Sequence, residues 1–442
     1  MKIGCIGSGY VGSTTMSVLA YKNLKHDVFI TDILKDKVEC WNSPNLPIYE
    51  PGLDKLIYEC RNKNLFFTKD SQFVIENCDL IFICVNTPTK EYGVGSKQAS
   101  DLSFLEGCCN SIKKYSKSDK ILIEKSTVPV GTCKSIRNNL QSNKKYHYTI
   151  ISNPEFLAEG TAIKDLIRPS RVLLGVLEYS KKDIFCRNLV SKLYSVWVNK
   201  NLILKISSWS SELIKLASNS FLAQKLSSIN TISIICEEVG GCINSVSRGI
   251  GLDPRIGNFF LKSSAGFGGS CFEKDVLNLT YSCSINNLSL VSNYWQSVVD
   301  INNYTKYTFV KKLYKKLNFN LNKKNLFIMG LTFKKDTDDA RNSSSVDIVL
   351  EILKELSRVH VYDPKAKNIN VIKNSSNVDL VSRLVSPYVK KNYDAVVVLT
   401  DWGLFKKLNY KSILQNSNES PFFVDSRSFI NKTIIRLLGF KI

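Results

Sequence analysis

Histidine, paired cysteines and long apolar runs are all scarce in this chain. Only three of its 442 residues are histidine, and its thirteen cysteines include no Cys-x-x-Cys pair. Structural zinc sites usually need such paired spacing, so we expect no metal site, structural histidines, and mostly buried thiols in a reducing, cytoplasmic compartment. No apolar run reaches the roughly 18 residues that a membrane-spanning helix needs, so no membrane segment is predicted.

Acidic residues are also few relative to basic ones. Asp and Glu number 39 against 60 Lys and Arg, which gives a formal charge of +21. Such a surface is compatible with nucleic acid, a membrane face or polyanionic small molecules as partners. An apolar content of 44% indicates a folded globular protein, and the length predicts two or three domains.

A glycine motif follows the first predicted strand. The apolar stretch Lys2–Ile6 leads into Gly7-Ser8-Gly9-Tyr10-Val11-Gly12, and a helical stretch continues to about Leu24. A second strand, Val28–Thr31, ends at Asp32, 20 residues after the last glycine. This is the context of a dinucleotide-binding fold, and a strand starting at residue 2 leaves no room for a signal peptide.

Each glycine of this motif, and the acid that follows it, has a physical role in binding a dinucleotide. Gly7 permits the tight turn, Gly9 lets the backbone approach a pyrophosphate, and Gly12 allows close helix–strand packing. The helix N-terminus favours the negative phosphates. Asp32 would accept hydrogen bonds from the ribose hydroxyls and repel a 2′-phosphate, which favours NAD over NADP, although nearby lysines such as Lys37 weaken that preference.

Polar turns follow three further predicted strands. The strands predicted after the motif are Leu65–Thr68, Leu80–Val85, Ile121–Lys125 and Thr149–Ser152. The last three lead into Asn86-Thr87-Pro88-Thr89, Ser126-Thr127-Val128-Pro129 and Asn153-Pro154-Glu155. Any one of these fits an ordinary proline turn, but ligands of open parallel sheets bind at the carboxyl ends of strands. The three turns are therefore the predicted walls of a cofactor and substrate cleft.

A glycine-rich loop carries the candidate nucleophile. The segment Gly266–Asp275 delivers Cys271 to a predicted helix start, where the helix dipole stabilises a thiolate. Asp275 lies one turn further along the same face. The alternative is a buried structural thiol followed by an acid near the helix start.

Two long helices are predicted around this loop. The first covers Ser207–Gly240. Lys215 and Asn219 share one of its faces, and that spacing alone is equally compatible with an ordinary solvated surface. The second, Asn293–Lys316, carries an apolar stripe typical of a core or a subunit interface.

The last third returns to alternating strands and helices. Its predicted strands are Asn325–Gly330, Val359–Tyr362, Ala395–Leu399 and Phe422–Val424. Lys334, Arg341 and Arg427 lie in loops suited to phosphate contacts, although a solvated surface cation is the commoner role of any single one. We predict an α/β protein with two Rossmann-like doubly wound domains (residues 1–205 and 321–442) joined by a central long-helix domain (residues 206–320).

Taken in order, the motifs resemble the UDP-glucose/GDP-mannose dehydrogenase family in its eukaryotic, UDP-glucose-oxidising form. The resemblance extends from Lys2 to Gly439. Besides the glycine motif and Gly266–Asp275, it is carried by Leu46-Pro47-Ile48-Tyr49-Glu50-Pro51-Gly52-Leu53, Val85-Asn86-Thr87-Pro88-Thr89, Glu124-Lys125-Ser126-Thr127-Val128-Pro129-Val130 and Ser152-Asn153-Pro154-Glu155-Phe156-Leu157-Ala158-Glu159-Gly160. One departure is Gly131-Thr132, where animal members carry Arg-Ala in an allosteric switch, so the resemblance does not extend that regulation to this chain.

The resemblance implies a four-electron oxidation of UDP-glucose to UDP-glucuronate with two NAD, through a thiohemiacetal and a thioester on Cys271. It implies that Lys215 and Asn219 stabilise oxyanionic character. Asp275 would act as a base or hold the water, helped by Thr127, and Glu155 would be a base or proton carrier. Sequence does not separate the proton-accepting roles of Glu155, Lys215 and Asp275.

Binding residues follow from the same resemblance. Those implied for NAD are Gly7, Ser8, Gly9, Tyr10, Val11, Gly12, Asp32, Lys37, Val85, Asn86, Thr87, Pro88, Thr89, Ser126, Thr127, Val128, Glu159 and Arg341. Those implied for UDP-glucose are Glu155, Phe156, Leu157, Ala158, Glu159, Lys215, Asn219, Arg255, Lys262, Phe267, Gly268, Phe333, Lys334 and Arg427. Arg255 would reach a neighbouring subunit's substrate, because family members dimerise through the central helices and animal members form hexamers.

Two rival functions remain open from the sequence. A sister enzyme acting on GDP-mannose or UDP-N-acetylmannosamine would share the glycine motif and the cysteine chemistry. A basic nucleic-acid-binding protein would fit the charge, but no nucleic-acid-binding motif is present, so neither nucleic acid nor membrane is an expected partner.

Overall fold

The chain forms two compact units in a computed structural model. The structure describes residues 1–141, 145–366, 369–373, 375–380, 392–415 and 417–442. The first unit comprises Met1–Ser218 with Leu277–Ser292, and the second comprises Asn219–Val276 with Asn293–Ile442.

The first unit contains an eight-stranded sheet. Its strands are β1 (Lys2–Ile6), β2 (Asp27–Thr31), β3 (Leu65–Thr68), β4 (Leu80–Ile83), β5 (Lys120–Glu124), β6 (Tyr148–Ser152), β7 (Val172–Val176) and β8 (Ile203–Ser207). Their spatial order is β3-β2-β1-β4-β5-β6-β7-β8. The first six are parallel, in the order of a dinucleotide-binding sheet, whereas β7 runs antiparallel to β6 and pairs in parallel with β8.

Helices accompany the strands of this sheet. They are α1 (Tyr10–Lys22), α2 (Lys35–Asn42), α3 (Leu53–Cys60), α4 (Ser71–Asn77), α5 (Ser103–Tyr115), α6 (Thr132–Gln141), α7 (Ala162–Ile167) and α8 (Lys181–Tyr194). Every residue of β4, β6 and β7 is buried, as expected when both faces of a sheet are covered. Continuous apolar runs in these strands, rather than alternation, reflect that burial.

Long helices dominate the middle of the chain. They are α9 (Ser208–Val239), α10 (Ile243–Gly251), α11 (Phe272–Ile285) and α12 (Ser289–Lys316). Residues of α9, α11 and α12 belong to both units, whereas α10 lies in the second. Among the described residues, no helix combines the length and the apolar character needed to cross a bilayer.

The second unit contains a five-stranded parallel sheet. Its strands are β9 (Asn325–Met329), β10 (Arg358–Tyr362), β11 (Val378–Leu380), β12 (Tyr393–Val398) and β13 (Ser417–Asp425), in the spatial order β11-β10-β9-β12-β13. The accompanying helices are α13 (Ser344–Lys354), α14 (Asn370–Lys373), α15 (Tyr410–Gln415) and α16 (Lys432–Leu437). The central strands β9 and β12 supply the core of this unit.

The predicted fold class is confirmed, with two parallel-rich sheets and a central helical region. The strands predicted at Lys2–Ile6 and Leu65–Thr68 have the observed bounds, and the long helices begin within four residues of their predicted starts. The prediction was wrong in omitting β7, β8 and β11, and it extended β4 to Val85 although the strand ends at Ile83. The predicted domain boundaries at residues 205 and 320 stay predictions.

Candidate active site

The glycine motif forms a cradle at the start of α1. Gly7 has a φ of +105°, and a Cβ there would lie 2.4 Å from the Cys84 carbonyl oxygen. A Cβ on Gly12 would lie 2.0 Å from the Gly7 carbonyl oxygen, whereas a Cβ on Gly9 would meet nothing closer than 3.9 Å. Gly9 precedes the helix without a side-chain cap, and the first turn holds no acid. The amide N–H groups of that turn therefore suit an anionic ligand.

Asp32, at the end of β2, is a fixed carboxylate beside this cradle. It accepts hydrogen bonds from the Ser8 amide (2.8 Å), the Ser8 hydroxyl (2.7 Å) and the Leu34 amide (3.1 Å). Lys37 Nζ lies 3.1 Å from Oδ2. Burial tends to raise the pKa of Asp32, but these hydrogen bonds and the lysine charge hold it below its ordinary value. An open glycine, an uncapped helix and an ionised acid together fit a dinucleotide.

Two of the predicted polar turns are tied to each other. The Thr87 hydroxyl donates to the Thr127 carbonyl oxygen at 2.7 Å, and the Ser126 hydroxyl donates to the Val85 carbonyl oxygen at 2.8 Å. These bonds join the segments that follow β4 and β5, whose strands are neighbours in the sheet. Of the other residues predicted here, Val128 is buried, Thr89 is half-buried, and Asn86 and Pro88 are exposed.

The third polar turn holds a buried ion pair. Lys125 Nζ lies 2.7 Å from Glu155 Oε2 and 3.2 Å from Asn153 Oδ1. The Tyr194 hydroxyl donates to the same Asn153 oxygen at 2.7 Å. Glu155 was a predicted site residue, whereas Lys125, Asn153 and Tyr194 were not.

Cations lie over the ring of Phe156, the residue after Glu155. The Lys215 ammonium is 5.3 Å from the ring centre, and the Arg171 guanidinium is 3.8 Å from it. The Phe156 amide donates to Glu155 Oε1 at 2.8 Å. Lys215 is only 9% exposed, so the interpretation of its helix face as an ordinary solvated surface is wrong.

Glu50 connects the glycine motif to the loop after Phe156. Its carboxylate accepts hydrogen bonds from the Tyr10 hydroxyl, the Gly160 amide (2.7 Å) and the Ala162 amide (2.8 Å). The bond to Ala162 satisfies an amide at the start of α7. Glu159 also lies close enough for its charge to act on the Tyr10 hydroxyl. Within the loop, Leu157 and Glu159 are half-buried, and Ala158 is exposed.

In the second unit, Cys271 directly precedes α11. Its carbonyl oxygen accepts the Asp275 amide at 3.0 Å, so the predicted helix start is confirmed. Its thiol is exposed, which excludes the alternative of a buried structural cysteine, whereas ten of the thirteen cysteines are buried.

Asp275 is a buried acid one turn into α11. Asn219 Nδ2 donates to its Oδ2 at 2.5 Å, and both side chains are buried. Its Oδ1 has no hydrogen-bond partner within the described residues, and Lys274 Nζ lies 3.9 Å away. The burial of Asn219 also rules out a solvated role for that residue. An acid with a free buried oxygen is suited to hold a water or accept a proton.

The glycine-rich loop before Cys271 is clamped by backbone contacts. A Cβ on Gly268 would lie 2.5 Å from the Asn342 carbonyl oxygen. A Cβ on Gly269, whose φ is +94°, would lie 2.9 Å from the ring of Phe333. The Phe267 amide donates to Asn302 Oδ1 at 2.7 Å. The loop thus brings three predicted substrate residues, Phe267, Gly268 and Phe333, close together.

Arg427 contacts the backbone of Phe333, one of these predicted substrate residues. Its guanidinium donates to the carbonyl oxygens of Phe333 and Leu399, both at 3.1 Å. Burial lowers the pKa of Arg427 below its ordinary value. A partly buried guanidinium beside an aromatic ring is suited to a phosphate and a base.

Four cations that were predicted to bind ligands make none of the contacts described above. Arg255 pairs with Asp253 on its own loop, and Arg341 pairs with Asp339, each at 2.7 Å. Lys262 is exposed and Lys334 is half-buried. Their assigned roles stay predictions.

Lys125 and Glu50 were not predicted as site residues, although both lie in motifs that carry the family resemblance. A lysine directly after an apolar strand, followed by a polar turn, was the available signal for Lys125. For Glu50 the motif was the only signal in the sequence, because its hydrogen-bond partners are 40 or more residues away.

Comparison with known proteins covers nearly the whole chain. Three domain profiles of the UDP-glucose/GDP-mannose dehydrogenase family match it. They are the NAD binding domain at residues 1–198, the central domain at residues 209–304 and the UDP binding domain at residues 327–432.

Individual relatives agree with these profiles. The UDP-glucose 6-dehydrogenases of Mus musculus and Pongo abelii are 45% and 44% identical to the chain, across all of it and 92% of their own length. The solved UDP-glucose dehydrogenase of Pyrobaculum islandicum superposes with a TM-score of 0.85 at 27% identity, covering 96% of this chain and 94% of that one.

Proposed function

The chain belongs to the UDP-glucose/GDP-mannose dehydrogenase family, and from that premise we propose that it oxidises UDP-glucose to UDP-glucuronate with two NAD. The observation that carries the proposal is Cys271, an exposed thiol placed directly before a helix in a chain whose whole length matches UDP-glucose 6-dehydrogenases. Bound NAD would supply the hydride acceptor for each of the two oxidation steps at C6 of the sugar.

The first unit holds the dinucleotide. The uncapped start of α1 would hold its pyrophosphate, and Asp32 would accept hydrogen bonds from the adenosine ribose. The turns tied by Thr87 and Ser126 would line the nicotinamide side. A fixed, ionised Asp32 repels a 2′-phosphate, which gives the preference for NAD.

Cys271 carries the sugar between the two oxidations. Its thiolate adds to the C6 aldehyde, which forms the C–S bond of a thiohemiacetal. Loss of the C6 hydride then leaves a thioester. Water adds to the thioester carbonyl, the C–S bond breaks, and the thiolate leaves as the carboxylate forms. A thiolate suits both steps because it is a strong nucleophile and a good leaving group.

Four further residues assist at the C6 oxygen. Lys215 and Asn219 stabilise its oxyanionic character in oxidation and in hydrolysis. Asp275, held by Asn219, holds the water or accepts its proton, and Thr127 helps to position that water. The buried state of Lys215, Asn219 and Asp275 supports these roles, because charges act most strongly where water is excluded.

The UDP moiety binds in the second unit. Phe267, Gly268 and Phe333 surround it, and Arg427 and Lys334 neutralise the diphosphate. The half-buried Arg427, already oriented by two carbonyl oxygens, supports this assignment.

The working form is a dimer through the central helices. The second unit exposes large apolar side chains in and between these helices, within residues 219–276, including Phe221, Leu252 and Phe259 at 60%, 77% and 78% exposure. Arg255, in the same segment, would reach the partner's substrate. The thirteen free thiols of the chain fit a reducing, cytoplasmic compartment.

The stoichiometry of NADH tests the function. Two NADH per UDP-glucose are expected, whereas a simple alcohol dehydrogenase releases one. GDP-mannose and UDP-N-acetylmannosamine are the comparison substrates. The absence of NADH with UDP-glucose would contradict the proposal.

A further inference from the structure

Lys125 lies against Glu155 because of strand register. Neighbouring parallel strands β5 and β6 place Glu124 opposite Ser152, so the next residues, Lys125 and Asn153, emerge side by side. Glu155 follows two residues later. The Lys125 side chain is 2% exposed and the Glu155 side chain 16%, so the pair is largely shielded from solvent.

The ammonium of Lys125 is held from three directions. Its Nζ lies 2.7 Å from Glu155 Oε2, 3.2 Å from Asn153 Oδ1 and 3.3 Å from the Asn153 carbonyl oxygen. Asn153 is itself fixed, because its Nδ2 donates to the Leu173 carbonyl oxygen at 2.8 Å and its Oδ1 accepts from Tyr194. An ammonium has three protons, and each has an acceptor here.

Both oxygens of Glu155 are also occupied. Oε2 accepts from Lys125, and Oε1 accepts the Phe156 amide at 2.8 Å. The other charged or titratable groups that face the pair are Lys215 on α9, Tyr194 on α8 and Cys84 after β4. Burial tends to raise the pKa of Glu155, but Lys125, the Phe156 amide and Lys215 bring it below its ordinary value.

We propose that Lys125 is a positioning residue that holds Glu155 as an oriented carboxylate anion, the form in which Glu155 can accept a hydrogen bond or a proton during the reaction. This inference rests on the proposed function.

Kinetics against pH give the first test. Lys125→Met keeps the length of the side chain but removes its charge, so the pKa of Glu155 should rise by at least about one unit. We expect the acid limb of the kcat profile to move to higher pH by that amount, with turnover near neutral pH at least about tenfold lower. Lys125→Arg, which keeps the charge, should restore most of the wild-type profile. An acid limb that does not move in Lys125→Met would overturn the proposal.

Thermal unfolding against pH gives a second test that needs no activity. In the wild type, the pKa of Glu155 lies below its unfolded value, so the pair stabilises the fold above about pH 4.3 and this contribution is lost as pH falls. In Lys125→Met, burial is no longer offset by the Lys125 charge, so the pKa of Glu155 in the folded state should lie above its unfolded value. The deficit in melting temperature should therefore grow as pH rises through that raised pKa.

Two variants make this result specific. Adding Glu155→Gln to Lys125→Met should make the deficit independent of pH. Lys120→Met is the matched control, because Lys120 is a fully buried lysine on the same strand whose Nζ lies 2.9 Å from the Cys78 carbonyl oxygen and whose acidic partner, Asp79, is 76% exposed. Equal, pH-independent deficits in Lys125→Met and Lys120→Met would reject the proposal. If the wild type forms no NADH with UDP-glucose, the proposed function fails, while the melting curves still decide how Glu155 is held.

Discussion

Exposure divides the cysteines of this chain. Burial raises the pKa of Cys5, Cys108 and Cys133 well above the ordinary value for a thiol, so these side chains stay protonated and inert. Cys271 and Cys242 are exposed in the second unit, and each directly precedes a helix. Glycines precede both residues, but only Cys271 precedes a buried acid, Asp275, by one turn, so Cys242 is a matched control for Cys271.

Cys271→Ser should abolish overall turnover while UDP-glucose still binds. A serine hydroxyl can form an ester but leaves poorly from it, so steady-state NADH production should fall by about three orders of magnitude or more. NADH absorbance and calorimetric titration with UDP-glucose measure the two effects, and mass spectrometry would detect an accumulated ester. Cys242→Ser should keep wild-type turnover. Normal turnover by Cys271→Ser would remove the nucleophile assignment.

Strand ends and helix starts build the nucleotide site. β1 ends at the glycine motif, β2 ends at Asp32, and the turns after β4 and β5 are tied through Thr87 and Ser126. Parallel neighbours bring these ends to one edge of the sheet. The packing of α1 against β1 depends on Gly12, because its missing side chain is what lets the Gly7 carbonyl approach.

Gly12→Ala should weaken NAD binding at least about tenfold and lower the melting temperature. The new Cβ would lie 2.0 Å from the Gly7 carbonyl oxygen, and backbone cannot move aside as a flexible side chain can. Titration of NAD by fluorescence and thermal unfolding measure both effects. Gly107→Ala is the control, because Gly107 is an exposed residue of α5 with nothing within 4 Å of a new Cβ. It should gain up to about 1 kcal/mol of helix stability, and equal behaviour of the two variants would contradict the prediction.

Charge and apolar surface characterise the molecule as a whole. The +21 charge is compatible with several classes of polyanion. The proposed ligands, NAD and UDP-glucose, are themselves anions, and only a few cations are assigned to them. The exposed apolar side chains within residues 219–276 are a more specific feature, because an interface would remove them from water.

Phe259→Asp should convert the proposed dimer into monomers. Placing a carboxylate within an apolar interface should raise the dimer dissociation constant about a hundredfold or more. Sedimentation velocity at micromolar concentration measures the change. Leu437→Asp is the matched control, since Leu437 on α16 is 82% exposed in the same unit but lies outside the central part of the chain, residues 206–320. A monomeric wild type, or an unchanged Phe259→Asp dimer, would contradict this prediction.

Local sequence pattern by itself determines much of this protein. The glycine motif, the apolar strands, the long helices and the placement of Cys271 at a helix start all follow from short-range rules of backbone geometry and periodicity. Because those rules act over a few residues, their outcome can be predicted from the amino-acid sequence. The resemblance of motifs along the whole length then indicates the family.

Tertiary structure alone decided the features that depend on residues distant in the chain. The reversal of β7 beside β6, the carboxylate of Glu50 shared by Tyr10 and Gly160, and the Lys125–Glu155 ion pair could not be read from spacing. The burial of Lys215 and Asn219 was equally undecided, since a helical face looks the same in sequence whether it packs or faces water. Each of these depends on which surfaces meet after folding, and desolvation and charge pairing act only once they have met.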